Sequence, residues 1–300
     1  NRSGNYNSTC GRNSLASNVT GHGNVAMGVS ALYNNVSGSY NLAAGSSALF
    51  SNRASFNVAL GYFSMYDNTV GEGNTAVGSY SLENNVNAHY NTAIGYEALN
   101  VQSYSNAGVA YDANNTAVGY RALYSNQPTS TNSGDDNTAF GALSLEDNIT
   151  GRRNTAIGYS ARLNNTTGSY NMAIGSTCLN SNTTGNSNTV FGFSALFSNT
   201  SGSYNLAGGI SPLYNCTNGT YNIALGYFSM YHASTDVDEN IALGHDAMHG
   251  NAAYSNSDYN IALGCSTLYM INGGDDNIVL GRNAAYNNSS GSYNIALGYY

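Results

Sequence analysis

Cysteine and histidine are the residues in this 300-residue chain most able to do redox, metal or acid–base chemistry. His245 and His249 have the i, i+4 spacing of a helical metal-ligand pair, but the flanking Gly244 and Gly250 favour a turn over a helix. The cysteines contain no Cys-x-x-Cys pair and lie far apart. They are Cys10, Cys178, Cys216 and Cys265. We expect them to be small apolar substitutes rather than disulfide partners.

No Ser/His/Asp constellation, phosphate-binding loop or recurring pair of carboxylates accompanies these residues. The sequence therefore predicts no enzyme, no cofactor and no metal site.

Asparagine-linked glycosylation is the modification that the sequence indicates most directly, through fourteen Asn-x-Ser/Thr sequons. The candidates are Asn18, Asn35, Asn148, Asn165, Asn182, Asn199, Asn215, Asn218 and Asn288. Sequons also occur at Asn1, Asn7, Asn114, Asn164 and Asn287. The candidates lie in segments rich in Asn, Ser, Thr and Gly, so turn chemistry alone also explains them.

Composition excludes several classes of protein. The net charge is −8 and all eight basic residues are arginine, so the cation clusters that bind nucleic-acid phosphates are missing. No apolar run reaches the roughly 18 residues of a membrane-spanning helix. Hydrophobic residues make up 41% and charged residues 8%, which is unlike highly charged disordered chains.

A short motif, Asn-x-Ala-x-Gly, organises the whole chain. It recurs 17 times with its asparagine and glycine unchanged, and 11 of the 16 intervals are 17 residues. We number each unit from the asparagine, position 1, so that the glycine is position 5. Representative pairs are Asn24 and Gly28, Asn91 and Gly95, Asn154 and Gly158, Asn222 and Gly226, and Asn294 and Gly298. Position 9 is leucine or methionine in 14 of 16 copies.

This pattern predicts an all-β fold, a repetitive β-solenoid of about 17 coils that is filament-like. Short apolar runs between Gly/Asn turns give strands, and stacked units bury a continuous core that no unit has alone. Residues 1–300 read as a single continuous array, a segment of a longer fibre. The alternative is one β-arch or hairpin per unit in a filament lattice. Longer units add residues at 101–113, 127–136, 236–239 and 252–258, which we expect at the surface.

Side-chain alternation places positions 2 and 4 on one face of each strand and positions 3 and 5 on the other. The small residues at 3 and 5 indicate close packing, against the opposite wall of a thin coil or another chain. The alternative is a tight turn that needs glycine. The invariant asparagine forms either an amide ladder or a turn cap. Seven sequons fall seven residues after the glycine, at position 12, in the predicted turn.

Units such as Asn91-Thr-Ala-Ile-Gly-Tyr-Glu-Ala-Leu and Asn222-Ile-Ala-Leu-Gly-Tyr resemble two groups of repeats. One is the β-roll head of trimeric autotransporter adhesins, and the other is found in phage tail-fibre-like proteins. The resemblance covers nearly the whole chain. It implies a β-solenoid and, by extension, trimers and adhesion.

The sequence therefore predicts a structural subunit of a secreted, glycosylated extracellular filament at or beyond the cell surface. An aliphatic core and ladders of tyrosine and asparagine would make it rigid. Its expected partners are copies of itself or further repeats, together with covalent glycans. The alternatives are an adhesin or tail-fibre shaft, and an ice-binding solenoid with threonine at position 2.

Overall fold

A computed structural model describes residues 4–162, 164–251, 254 and 256–300. The sequon at Asn1 and part of the added segment 252–258 lie outside the described residues. Each of the 17 coils contributes a three-residue strand. The strands are Ser8–Cys10, Val25–Met27, Leu42–Ala44, Val58–Leu60, Thr75–Val77, Thr92–Ile94, Thr116–Val118, Thr138–Phe140, Thr155–Ile157, Met172–Ile174, Thr189–Phe191, Leu206–Gly208, Ile223–Leu225, Ile241–Leu243, Ile261–Leu263, Ile278–Leu280 and Ile295–Leu297. Two-residue strands at Ala88–His89 and Tyr111–Asp112 pair separately.

The chain forms two compact units, Asn1–Arg153 and Asn154–Tyr300. Within each unit every strand pairs in parallel with the strand one coil later, at the same repeat position. Ala26 is opposite Ala43 in the first unit, and Ile241 is opposite Ile261 in the second. The predicted β-solenoid of 17 coils is confirmed, and the arch or hairpin alternative is not adopted because consecutive coils of the same chain pair in parallel.

Glycine at position 5 lets the coils approach closely as the chain leaves each strand. Gly95 has φ +136°, where L side chains are strained, and a Cβ there would lie 2.3 Å from the carbonyl oxygen of Gly119 in the next coil. Non-glycine residues adopt left-handed backbone at positions 7, 9 and 17, as at Ser30, Leu32 and Tyr40. These conformations bend the chain sharply enough to close a coil within 17 residues.

The core is thin and consists of columns that run from coil to coil. Position 3, nearly always alanine, is fully buried in every coil between the first and the last, as at Ala26, and position 8 carries small residues such as Ala31. Position 9 supplies the aliphatic column, for example Leu32. Close packing of the small face is therefore present at position 3, whereas position 5 follows the alternative, a tight turn that needs glycine.

The added segment 101–113 is not purely a surface excursion. Tyr111 is only 7% exposed and Ala113 only 1%, because the segment pairs with Ala88–His89 and covers Ala88. Expectation and structure differ here because the C-terminal end of the added segment is apolar, at Tyr111 and Ala113, and packs against Ala88 instead of remaining in solvent.

Candidate functional site

The invariant asparagines of position 1 form an amide ladder through the interior. Asn188 accepts hydrogen bonds at Oδ1 from the backbone N–H (3.0 Å) and the side chain (3.1 Å) of Asn205. Its own Nδ2 donates to Asn171 Oδ1 at 3.1 Å and to the Gly202 carbonyl at 2.9 Å. The predicted amide ladder is therefore present, and because Gly202 lies in the turn of the same coil, the asparagine also holds that turn through a bond across the coil rather than as a local turn cap.

A second asparagine column occupies position 12. Asn35 donates from Nδ2 to Asn18 Oδ1 at 3.2 Å and to the Gly38 carbonyl at 2.9 Å. The same Gly38 carbonyl accepts from Asn24 of position 1 at 2.8 Å. The two columns therefore converge on the position-15 carbonyl and fasten the turn to the strand.

This second column corrects the expected exposure of six sequons. Asn18, Asn35, Asn148, Asn165, Asn182 and Asn199 are buried, with at most 2% of their surface exposed. An expectation of solvent-facing turn asparagines is wrong for these residues, because each side chain points inward and hydrogen-bonds to the adjoining turn. Sequence reasoning missed this, although asparagine at position 12 recurs in coils that lack a sequon, such as those of Asn52 and Asn68.

The remaining candidates, Asn215, Asn218 and Asn288, are half-buried, whereas Asn164 and Asn287 are exposed. In chain secreted by a glycosylating host, we expect peptide mass spectrometry to find glycan on Asn164 and Asn287 and none on the adjacent Asn165. A buried Nδ2 that donates hydrogen bonds has no space for a sugar. Glycan on folded chain at Asn165 would contradict the position of that side chain.

All four cysteines are free thiols. Cys178 and Cys216 are buried in the column positions 8 and 12, and burial raises the pKa of each thiol to about 12. Cys10 occupies position 4 of the first strand, where other coils carry apolar residues, and it is exposed. Cys216 interrupts the second asparagine column, and Oδ1 of Asn199 in the preceding coil is left without a hydrogen bond among the described residues.

The two histidines with metal-pair spacing have separate partners. His245 Nδ1 lies 2.9 Å from Asp246, whereas His249 Nδ1 lies 2.6 Å from the Gly250 carbonyl. His249 stacks in an aromatic column at position 10, with ring centroids of neighbours 4.8–5.6 Å apart. That column comprises Phe197, Tyr214, Tyr231, His249, Tyr269 and Tyr286. The expected side-chain ladders of tyrosine are present here.

Positions 2 and 4 point outward and form the apolar face of the sheet. The aliphatic column of the core comes from position 9 instead, as at Leu32. Across the 17 strands these two positions carry no charged residue. In the first unit position 2 is threonine in four successive coils, and Thr75 and Thr138 begin and end this run.

In the second unit the apolar face becomes purely aliphatic over five coils. The pairs are Ile223 with Leu225, Ile241 with Leu243, Ile261 with Leu263, Ile278 with Leu280, and Ile295 with Leu297. Ile278, inside this run, remains 41% exposed. Exposed aromatic rings of position 17 border the face, such as Tyr204 and Tyr221, which stack with their ring centroids 4.8 Å apart. Contiguous exposed apolar surface of this kind marks interaction sites.

Among the described residues, no three His, Cys, Asp or Glu side chains are grouped to hold a metal ion. The same part of the chain has no helix of the length and hydrophobicity needed to cross a membrane. No family model matches the chain, and no curated protein matches it significantly.

Proposed function

We propose that this chain is a structural subunit of an extracellular filament or fibre, whose copies associate through the apolar face. The observation that carries the proposal is the uncharged outward face of positions 2 and 4, aliphatic over five consecutive coils of the second unit. Removing such a surface from water is favourable in proportion to its area. A parallel sheet whose other face is already covered is suited to a role in which rigid copies pack side by side.

The interior supports a mechanical role. The position-1 asparagine column connects successive coils, as from Asn171 through Asn188 to Asn205, and the second asparagine column and the position-10 aromatic column add contacts over shorter runs, so no coil depends on its own few apolar residues. The location outside the cell and the attached glycans are part of the proposal and rest on the motif's resemblance and on the exposed sequons. Antibody labelling of intact producing cells tests the location.

Replacing Ile278 with glutamate tests the self-association. We expect at least tenfold weaker association in sedimentation velocity and loss of fibres in negative stain, because a carboxylate in an apolar interface loses its hydration. The matched control is Ser201→Glu, which adds the same charge at an exposed turn. Equal association of both variants, or an unmodified chain that stays single at high concentration, would overturn the proposal.

A further inference from the structure

A cleft of about 350 Å³ opens at the border of the apolar face in the second unit. Tyr221, Ile223, Glu239 and Ile241 line it. The two isoleucines belong to adjacent paired strands, and Tyr221 and Glu239 are the last residues of the coils that immediately precede those two strands. The cleft thus combines an aliphatic floor, an aromatic ring and a carboxylate.

Glu239 is a coil-final residue between two aromatic ones, Tyr221 one coil before and Tyr259 one coil after. Tyr204 covers one face of the Tyr221 ring, with the planes 2° from parallel, so the other face of that ring is directed toward the coil of Glu239. One coil further on, the column continues with Tyr259, which is exposed. Two coil spacings, about 9.6 Å, separate the backbone positions of Tyr221 and Tyr259.

The electrostatics of the cleft favour a cation. Glu239 leads the charges that raise the pKa of the Tyr259 hydroxyl, followed by the neighbouring carboxylates Asp258, Asp238 and Asp276. Asp238 and Asp258 already accept backbone N–H groups, from Thr220 at 2.6 Å and from Asp238 at 2.8 Å. The Glu239 carboxylate forms no hydrogen bond or ion pair with the part of the chain that the structure describes, so it is available to a ligand.

We propose that this cleft binds an organic ammonium ion, held against the ring of Tyr221 beside the Glu239 carboxylate. An ammonium charge is attracted to the faces of tyrosine rings, and its alkyl groups gain contact with Ile223 and Ile241. A hard metal ion is a poor match, because it needs several oxygen ligands and the cleft has one uncommitted carboxylate. This site goes beyond the proposed filament function and does not depend on it.

Choline and its neutral isostere 3,3-dimethylbutanol are the probes that test the site. Saturation-transfer NMR on the full chain, at a concentration where sedimentation shows single chains, measures both affinities independently of self-association. We expect choline to bind at least about tenfold more tightly than the alcohol, since only choline carries the charge. Equal binding of the two probes, or no binding of choline, would overturn the proposal.

Variants locate the binding on the molecule. Glu239→Gln should weaken choline binding by about tenfold, the effect of losing one charged partner. Glu239→Tyr should abolish it by completing the aromatic column and filling the gap. Glu72→Gln, the same change at a half-buried position of the first unit, is the control and should leave the affinity unchanged. Choline affinity that is unaffected by Glu239→Gln would show that the cleft is not the site.

Discussion

Replacing Asn188 with alanine is expected to lower the free energy of unfolding by about 4 kcal/mol, the range for a broken buried hydrogen-bond network. Asn188 is fully buried and connects three coils. Its side chain donates a hydrogen bond to Asn171 and accepts hydrogen bonds from the backbone N–H and the side-chain amide of Asn205. Alanine leaves the backbone N–H of Asn205 buried without an acceptor and opens a cavity. Chemical denaturation measures the loss, and amide exchange should show it concentrated in the adjacent coils.

Asn186→Ala is the matched control for this prediction. Asn186 lies two residues earlier, at position 16 of the preceding coil, is exposed, and accepts a hydrogen bond from the backbone N–H of Ser169 at 2.8 Å. Water replaces that bond when the side chain is removed, so we expect a loss below about 1 kcal/mol. If the two variants lose similar stability, the interior ladder contributes little and the coils are held mainly by their backbone pairing.

The architecture was predictable because one physical requirement repeats in every unit. Gly95 and its equivalents occur where a side chain would collide with the next coil, and asparagine such as Asn91 occurs where a backbone N–H of the next coil needs an acceptor. Both requirements act between neighbouring coils, so they imprint the coil period on the sequence. A solenoid follows from that period without knowledge of any other contact.

The direction of the side chains was harder to predict, because it depends on the opposite wall. Asn165 has the composition and neighbours of a turn, and only the approach of the position-1 column across the thin coil makes an inward position favourable. Likewise, the aliphatic side chain of Ile223 suggests a core residue, but the leucines of position 9, such as Leu32, fill the interior and Ile223 faces outward. No motif in the sequence around Glu239 indicates the cleft, since its lining residues Tyr221 and Ile241 belong to other coils.

Replacing Arg162 with leucine is expected to raise the free energy of unfolding by about 2 to 4 kcal/mol, the scale on which apolar residues outperform buried charges. Arg162 stands at position 9, where leucine or methionine fills 14 of 16 coils, and it is fully buried. Its guanidinium donates to Asn165 and to the Gly168 carbonyl, but Nε and the second terminal nitrogen have no partner among the described residues. Burial lowers the pKa of Arg162 well below its usual value, because removing the charged guanidinium from water is unfavourable.

Leucine at this site restores the aliphatic column and removes the uncompensated charge, so the gain should be local. Amide exchange should slow in the coils that begin at Asn154 and Asn171 and remain unchanged in distant coils of the same unit, such as that of Asn260, because solenoid stability is nearly a sum over neighbours. Arg282→Leu, the same substitution at an exposed position, should change stability by less than about 0.5 kcal/mol. A less stable Arg162→Leu chain would mean that the guanidinium is needed there, as the donor that holds the turn at Gly168 in place of tighter packing.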